Sequence, residues 1–360
     1  MQSPEGKAAY SLQPFVDRGF FAGAVCLAAT KDRVLSLETI GWSDLAAQKP
    51  MTTDSLFWIA SMTKPMTATA LMMLVDEGKV ALDDPVEKYL PEFKGQMMIA
   101  EKNDDHVALK KPRHPITIRE ILSHTAGLAY TSSIEVPALD QFELRDAVHS
   151  YAAMHLLFEP GTQYSYSNAS TNTAGRIIEV VSGMPYAVFM DRRLLGPLRM
   201  DDTTFWPTEE QLRRLAKVYR TKSDKNGLEE VPMSHLTSPL NDPRRKPVPA
   251  GGLFSTASDV VKFCQMMLNL GVYEGRRYVS ESAIREMTRR QTAETIEMSV
   301  GLCWAVGKCY GHGGAFKTNM EINPKLGLIT VVLMQHTNEW PHEDGNNIGA
   351  TFTAAAEKLL

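Results

Sequence analysis

The stretch FWIASMTKPMTATALMMLV, residues 57–75, decides the fold. It contains the sequence SMTK, from Ser61 to Lys64, followed directly by Pro65 and an apolar segment. Because proline has no N–H to donate and clashes inside a helix, it is typical of a first helical turn. The sequence therefore predicts a helix that begins close to Ser61 and runs to about Asp76.

The Ser-x-x-Lys spacing has a chemical meaning. Residues 68–75 are nearly all apolar, which predicts a helix buried on every side. Residues three apart on a helix are neighbours, so Ser61 and Lys64 are expected side by side. Burial and the positive potential of a helix N-terminus both lower a lysine pKa, which makes the amine a base for the hydroxyl. The alternative is that Ser61 caps the helix while Lys64 extends into solvent.

Composition excludes several classes of function. The chain has 360 residues, of which 44% are hydrophobic, and a net charge of -4. That length suits one large domain or two. No basic run occurs, which argues against nucleic-acid binding. No apolar segment reaches the ~18–20 residues of a membrane span, so none is predicted.

Cofactors and compartment follow from the remaining patterns. The four cysteines have neither zinc spacing nor a CxxC motif, and we expect no metal and no cofactor. Reduced cysteines and an N-terminus without an apolar leader suit a cytoplasmic protein as the sequence stands. A chain trimmed of a signal peptide would look the same, and would then be periplasmic or secreted. The oligomeric state is left open.

Strand patterns occur at both ends of the chain, with helical patterns between them. Residues 22–29 are an unbroken apolar run typical of a buried strand, and residues 34–37 return beside it. Later patterns predict strands at 300–306, 315–322 and 328–335, and a final helix at 346–360.

The middle third is mostly helix and loop. Thr117 and Glu120 have the spacing of a capping box, and another helix is predicted from about Ala174. The prediction is an α/β (α+β) fold with an antiparallel sheet flanked by helices, built from residues 1–78 and 236–360. A mostly helical domain, residues 79–235, is inserted into it.

A second candidate site is the sequence Tyr166-Ser167-Asn168, in a polar loop ahead of that helix. A tyrosine beside a lysine ammonium loses its proton more easily and can shuttle one. The alternative is a half-buried tyrosine with a hydrogen-bonded hydroxyl.

A third candidate opens the strand predicted at 315–322. Glycines there allow close approach of a ligand and can present the N–H of Ala315 to an oxyanion. The alternative is a simple turn between strands. Lys317 is a weaker candidate, because an offset of five puts it on the opposite strand face from His312. The preferred residues are His312, Gly313 and Gly314.

With these three sites in this order, the chain resembles the serine β-lactamase and penicillin-binding-protein superfamily. It is most similar to the class C β-lactamase-like esterases of family VIII and to the related peptidases. The similarity covers almost the whole chain and extends to LSHTAGL at residues 122–128 and GGLFST at 251–256. The resemblance implies a site between a sheet domain and a helical domain.

The resemblance also implies a role for each residue. Ser61 would be the nucleophile and Lys64 its base. Tyr166 would relay a proton to the leaving group and activate the deacylating water. The N–H groups of Ser61 and Ala315 would form the oxyanion hole. Substrate contacts would come from Asn168, His312, Gly313 and Gly314.

One departure from the family decides the expected substrate. Class C β-lactamases carry a lysine where this chain has His312, and a neutral imidazole attracts a penicillin carboxylate less than an ammonium does. We therefore expect a serine hydrolase that acts through an acyl-enzyme on small carboxylic esters or amides, with a small-molecule ester, amide or lactam as its partner. The alternatives are a β-lactamase or D-amino-acid peptidase, a transacylase, and a sensor that is acylated without turnover.

Overall fold

A computed structural model describes residues 8–337 and 340–360. The strands in chain order are Gly23–Ala29 (β1), Val34–Asp44 (β2), Lys49–Pro50 (β3), Phe57–Trp58 (β4), Met98–Lys102 (β5), Val107–Lys110 (β6), Tyr219–Thr221 (β7), Leu228–Glu230 (β8), Phe254–Ser255 (β9), Val272–Tyr273 (β10), Arg276–Arg277 (β11), Ala305–Val306 (β12), Tyr310–Gly313 (β13), Asn319–Asn323 (β14), Leu328–Leu333 (β15) and His336–Thr337 (β16). The α-helices are Gln13–Asp17 (α1), Thr63–Asp76 (α2), Ile118–Leu122 (α3), Leu144–Ala152 (α4), Asn168–Ser182 (α5), Tyr186–Met190 (α6), Glu209–Arg214 (α7), Ala257–Leu268 (α8), Glu281–Thr288 (α9) and Ile348–Ala356 (α10).

The main sheet is antiparallel and joins both ends of the chain. Its strand order is β12-β13-β14-β15-β1-β2-β3. The central strand β1 pairs with β15 on one side, where Val25 lies opposite Leu333, and with β2 on the other. This confirms the predicted antiparallel sheet flanked by helices, with the mostly helical part of the chain inserted between its strands.

Strand β1 is buried on both faces. Val25 and Leu27 belong to the large core that contains α2 and α8. Ala24 and Cys26 belong to a second core, closed by the N-terminal turn Ala8–Leu12 and by α10. Because successive strand side chains point to opposite faces, a strand covered on both sides buries every residue. This is the physical reason for the unbroken apolar run in the sequence.

Helix α2 is the central helix of the large core. It follows a 3-10 turn at Ala60–Met62 and ends at Asp76, as predicted. Every side chain from Thr63 to Leu74 is buried. Each large apolar side chain buried in this way contributes about 1.5–3 kcal/mol, so the first turn of the helix is held firmly in place.

Helix α5 begins earlier than predicted. The sequence indicates a start near Ala174, whereas the helix begins at Asn168 and Ser167 is its N-cap, accepting from the Ser170 N–H at 3.0 Å. The first turns are rich in Ser, Thr and Asn, which are weak helix formers and conceal the helix in the sequence. The Tyr-x-Asn sequence therefore lies at a helix N-terminus.

The strand predicted at 315–322 is wrong in its first half. Strand β14 begins only at Asn319, and a separate strand, β13, ends before it at Gly313. The left-handed φ of +62° at Lys317 and the bond from the Gly314 N–H to the Thr318 carbonyl at 2.7 Å close a hairpin turn. Ala315 therefore lies in a turn.

The strand predicted at 300–306 survives only as β12. Cys303 has a left-handed φ of +59°, and the Gly301 N–H donates to the Trp304 carbonyl at 2.8 Å. These features turn the chain before the strand can form.

The inserted part carries the predicted capping box, in which Thr117 and Glu120 bond reciprocally at the start of α3. The short strands β7 and β8 also lie there, and β7 pairs with β16 from the C-terminal part. Domain boundaries at residues 79 and 235 stay a prediction. No helix in the described part of the chain is long and apolar enough to cross a membrane.

Two glycines with the same backbone angle test the packing of β1 against β2. Gly41 and Gly78 have φ of +70° and +69°. An added Cβ at Gly41 would lie 2.2 Å from the Ala22 carbonyl oxygen, whereas at Gly78 it would meet nothing within 4 Å. We expect Gly41→Ala to lower the free energy of unfolding by about 3 kcal/mol, from strain and overpacking together, and Gly78→Ala by about 1 kcal/mol. Urea unfolding measures both, and equal losses would contradict this packing.

Candidate active site

The segment that leads into Ser61 is clamped by its neighbours. The Ile59 N–H donates to the Leu253 carbonyl at 3.0 Å, and the Thr318 hydroxyl donates to the Ile59 carbonyl at 3.3 Å. Ala60 has a left-handed φ of +45° and is buried. A non-glycine residue in this region is strained and persists only where surrounding contacts impose it. The strain therefore sits directly before Ser61, which begins the turn into α2.

Lys64 is buried beside Ser61. Its Nζ lies 3.2 Å from the Ser61 Oγ, 2.7 Å from the Asn168 Oδ1 and 2.6 Å from the Ala250 carbonyl oxygen. No carboxylate in the described residues forms an ion pair with it. Burial disfavours the ammonium and lowers the pKa of Lys64 to about 7, while the Cys303 thiol raises it slightly. The alternative in which Lys64 extends into solvent is contradicted, and a neutral amine next to Ser61 is available near pH 7.

Tyr166 completes this cluster, with its ring centroid 4.7 Å from the Lys64 Nζ. Burial raises the pKa of the Tyr166 hydroxyl, and the hydroxyl of Ser61 lowers it only in part. The expectation that Tyr166 loses its proton more easily is therefore wrong. That expectation assumes a charged lysine beside the phenol. Lys64 is itself desolvated, so its ammonium loses a proton at a lower pH than the phenol does.

Asn168 is the first residue of α5 and is buried. Its side-chain oxygen accepts from Lys64 at 2.7 Å. The structure therefore places Asn168 against the amine, and its contact with substrate stays a prediction.

His312 lies on β13, half-buried, with its ring centroid 6.1 Å from that of Tyr166. Its Nδ1 lies 2.7 Å from the Gly313 carbonyl oxygen. Burial, with the nearby charge of Lys64, lowers the pKa of His312 to about 4. The imidazole is therefore neutral at pH 7, which is the state on which the expectation of an ester substrate depends.

The turn after β13 packs on the clamped segment. A Cβ at Gly314 would lie 2.2 Å from the Thr318 Oγ1 and 2.5 Å from the Ile59 carbonyl oxygen, so only glycine fits there. Within residues 8–337 and 340–360, the N–H groups of Ser61 and Ala315 donate to no other group. Both are thus available to an oxyanion.

His124 is a site residue that the sequence analysis missed. It lies in the LSHTAGL stretch at residues 122–128, and no spacing of neighbouring residues marks it as a site residue. Its ring centroid lies 4.8 Å from that of Tyr166, its Nδ1 accepts from the Ser167 N–H at 3.3 Å, and its carbonyl accepts from the Ser165 N–H at 2.9 Å. Desolvation holds the pKa of His124 well below its usual value. A neutral His124 therefore holds the loop that carries Tyr166.

Tyr130 was also missed. Its side chain is 54% exposed and its ring centroid lies 6.3 Å from that of Tyr166. Its carbonyl accepts from the N–H groups of Asn168 and Ala169 at 2.9 and 3.0 Å. Tyr130 therefore anchors the start of α5 and presents an exposed aromatic face beside Tyr166. In the described part of the chain, no group of three His, Cys, Asp or Glu side chains could hold a metal ion.

Known proteins resemble this chain over most of its length. The family model described as Beta-lactamase matches residues 11–354. Esterase EstB of Burkholderia gladioli is 30% identical over 67% of this chain and 64% of its own. The D-alanyl-D-alanine-carboxypeptidase/endopeptidase AmpH of Escherichia coli K12 is 27% identical over 78% of this chain and 71% of its own.

Solved structures share the fold. EstCE1, described as a hydrolase with promiscuous acyltransferase activity, superposes with a TM-score of 0.81 at 22% identity and covers 97% of both chains. The resemblance inferred from the three motifs is confirmed. The chain belongs to the beta-lactamase family.

Proposed function

We propose that the protein is a serine hydrolase that forms an acyl-enzyme on small carboxylic esters. The observation that carries this proposal is the Lys64 amine, which is buried, has no carboxylate partner among the described residues and lies 3.2 Å from the Ser61 Oγ. An amine with a pKa of about 7 is poised near the pH at which a general base works best. The Tyr166 hydroxyl also contacts Ser61, but its raised pKa keeps it protonated near pH 7, so Lys64 is the base that we assign to Ser61.

Acylation uses this pair directly. The Ser61 Oγ attacks the ester carbonyl carbon while its proton passes to the Lys64 amine, and negative charge develops on the carbonyl oxygen. The N–H groups of Ser61 and Ala315 are offered as donors to that oxygen. When the tetrahedral intermediate collapses, the bond to the alcohol breaks and the departing oxygen needs a proton.

Tyr166 supplies that proton as a neutral phenol. With its pKa raised, it cannot act as a standing phenolate base, but it can donate to the leaving oxygen while it takes a proton from Lys64. In deacylation the order reverses. Water attacks the acyl carbonyl while its proton passes by way of Tyr166 to the Lys64 amine. As the bond to Ser61 breaks and the acid is released, Lys64 returns a proton to the Ser61 Oγ, and the free enzyme is restored.

Esters are favoured over substrates that carry a carboxylate. His312 is neutral, and the Nζ of Lys317 lies 4.9 Å from the ring centroid of Trp340, turned to that aromatic partner. Neither residue offers a cation to a carboxylate. EstB, a relative named as an esterase, supports this choice. AmpH, named as a D-alanyl-D-alanine carboxypeptidase, supports the peptidase alternative, which the neutral His312 disfavours.

A substrate panel tests the proposal. Wild-type protein should hydrolyse a neutral p-nitrophenyl ester with a kcat/KM well above that for a chromogenic cephalosporin, because the cephalosporin carboxylate finds no cation. Ser61→Ala should lower ester turnover by at least about 10³-fold, since the nucleophile is lost.

Ser36→Ala is the matched control for this loss. The Ser36 Oγ is buried without a hydrogen bond in the described part of the chain, so its removal should leave turnover within about twofold. Ester turnover by Ser61→Ala at a rate close to that of the wild type, or wild-type hydrolysis of the cephalosporin faster than that of the ester, would contradict the proposal. A burst of one equivalent without turnover would favour the acylated sensor.

The pH dependence tests the role of Lys64. Because only the neutral amine can accept the Ser61 proton, kcat/KM should rise with pH and level off above a single ionisation near 7. His312 and Tyr166 should not titrate in this range, since their pKa values lie on opposite sides of it. Rates between pH 5 and 9 measure this, and a profile that is flat or falls through pH 7 would exclude Lys64 as the base.

His124 provides a test of the Tyr166 loop. His124→Asn keeps an acceptor for the Ser167 N–H and tolerates the left-handed φ of +58°, whereas His124→Leu keeps neither property. We expect His124→Leu to lower kcat about tenfold or more, through displacement of Tyr166, and His124→Asn to recover most of that loss. Steady-state kinetics on the ester measure both variants, and equal kcat values would show that the bond to Ser167 is unimportant.

A further inference from the structure

Two asparagines one turn apart on α5 act on the same amine. Asn168 accepts from the Lys64 Nζ at 2.7 Å. Asn172, on the same helix face, accepts from the Ala250 N–H at 3.0 Å. The carbonyl of that same Ala250 accepts from Lys64 at 2.6 Å. Helix α5 therefore holds Lys64 once directly and once through Ala250.

The orientation of the Asn172 amide is set by a buried pair behind it. Its Nδ2 donates to the Tyr151 hydroxyl at 2.9 Å and to the Glu135 Oε1 at 3.3 Å. The Tyr151 hydroxyl donates to Glu135 at 2.6 Å, and the Ser132 N–H donates to the other carboxylate oxygen at 2.9 Å. Because three donors converge on Glu135, the phenol proton points to it and leaves a lone pair for Asn172. The Asn172 oxygen must then face Ala250.

Nothing else in this network reaches the Ala250 N–H. The carbonyls on either side are held by other groups, with Thr67 donating to Pro249 at 2.8 Å and Trp58 donating to Gly251 at 2.7 Å. The flanking positions of this segment are thus secured independently. Loss of Asn172 should free the peptide at Ala250 and leave the rest of the segment in place.

We propose that Glu135, Tyr151 and Asn172 are positioning residues that hold the Ala250 carbonyl against the Lys64 amine. Their exposed fractions are 3%, 1% and 2%, so all three are buried. The proposal rests on the proposed function, because it gives Lys64 its geometry as a base. A purely structural role for the three residues would alter stability and leave the ionisation of Lys64 unchanged.

The ionisation of Lys64 can be followed because its neighbours stay neutral. The titratable groups that face it are Tyr166, Cys303, His124 and His312. Burial raises the pKa of Cys303 to about 12 and that of Tyr166, and lowers the pKa values of both histidines, so none titrates near pH 7. Within the described part of the chain, Glu135 is the carboxylate that reaches Lys64 through this network.

Two substitutions at Asn172 should move this ionisation in opposite directions. Asn172→Leu leaves the Ala250 N–H unpaired and loosens the Ala250 carbonyl. The Lys64 ammonium then loses an acceptor, so the acid limb of kcat/KM moves to lower pH. Asn172→Asp places a second carboxyl group beside Glu135, at the position from which the Asn172 Nδ2 donates over 3.3 Å, so the two carboxyl groups share one proton. The remaining negative charge then lies in part beside Ala250 and nearer to Lys64, which favours the ammonium and moves the limb to higher pH. We expect shifts of about half a pH unit or more, and a fall in kcat of about tenfold with KM little changed.

Tyr151→Phe is the milder variant, and it keeps the test valid if a substitution at Asn172 fails to fold. It keeps the ring but removes the hydroxyl that orients Asn172, and should shift the limb to lower pH as Asn172→Leu does. Thr173→Val is the matched control, because the Thr173 hydroxyl is buried on the same helix and, among the described residues, bonds only to the Ala169 carbonyl, at 2.8 Å. Its pH profile should equal that of the wild type.

The outcomes separate the two proposals. The positioning role is supported if the acid limb of kcat/KM moves in opposite directions in the two Asn172 variants. It is also supported if this limb moves to lower pH in Tyr151→Phe while the profile of Thr173→Val equals that of the wild type. Profiles that match the wild type in both Asn172 and Tyr151 variants, or shifts of the same sign in the two Asn172 variants, overturn it. Failure of the proposed function would appear in a different measurement, because the Ser61→Ala protein would then still hydrolyse the ester.

Discussion

The site depends on a single electrostatic constraint, the burial of Lys64 with no ion-pair partner in the part of the chain that the structure describes. Desolvation alone moves the pKa of this amine to about 7. A nearby carboxylate would stabilise the ammonium and remove the base, so the site offers only neutral acceptors, from Asn168 and Ala250. The surrounding histidines and the thiol of Cys303 are kept uncharged by the same burial.

The fold supplies this environment from three separate parts of the chain. The 3-10 turn ahead of α2 carries Ser61, α2 itself carries the buried Lys64, and α5 brings its polar N-terminal turns against them. The hairpin between β13 and β14 closes the third side, where Gly314 allows the turn to lie against the segment ahead of Ser61. The strained Ala60 shows that these contacts impose the conformation from outside. Polar groups in the site are thus held by a scaffold whose own stability comes from apolar burial.

Prediction from the sequence succeeded where one local pattern had one physical cause. The apolar run around Val25 and the proline after Lys64 give a buried strand and a helix start whatever surrounds them. It failed where long-range contacts override weak local preferences. The Ser- and Thr-rich start of α5 is helical because it is packed and capped, and the strand predicted through Ala315 is broken by a turn that leans on Ile59. His124 has no signal in the sequence, because only the fold brings it to Tyr166.

The sequence by itself determined the α+β architecture, the order of the three motifs and the adjacency of Ser61 and Lys64, because helix and strand periodicity are local properties of the chain. Only the tertiary structure decided how those residues ionise. A pKa depends on the dielectric surroundings and on partners far away along the chain. Burial raises the pKa of Tyr166 and lowers that of Lys64 to about 7, so near neutral pH the phenol keeps its proton while the amine can release its own.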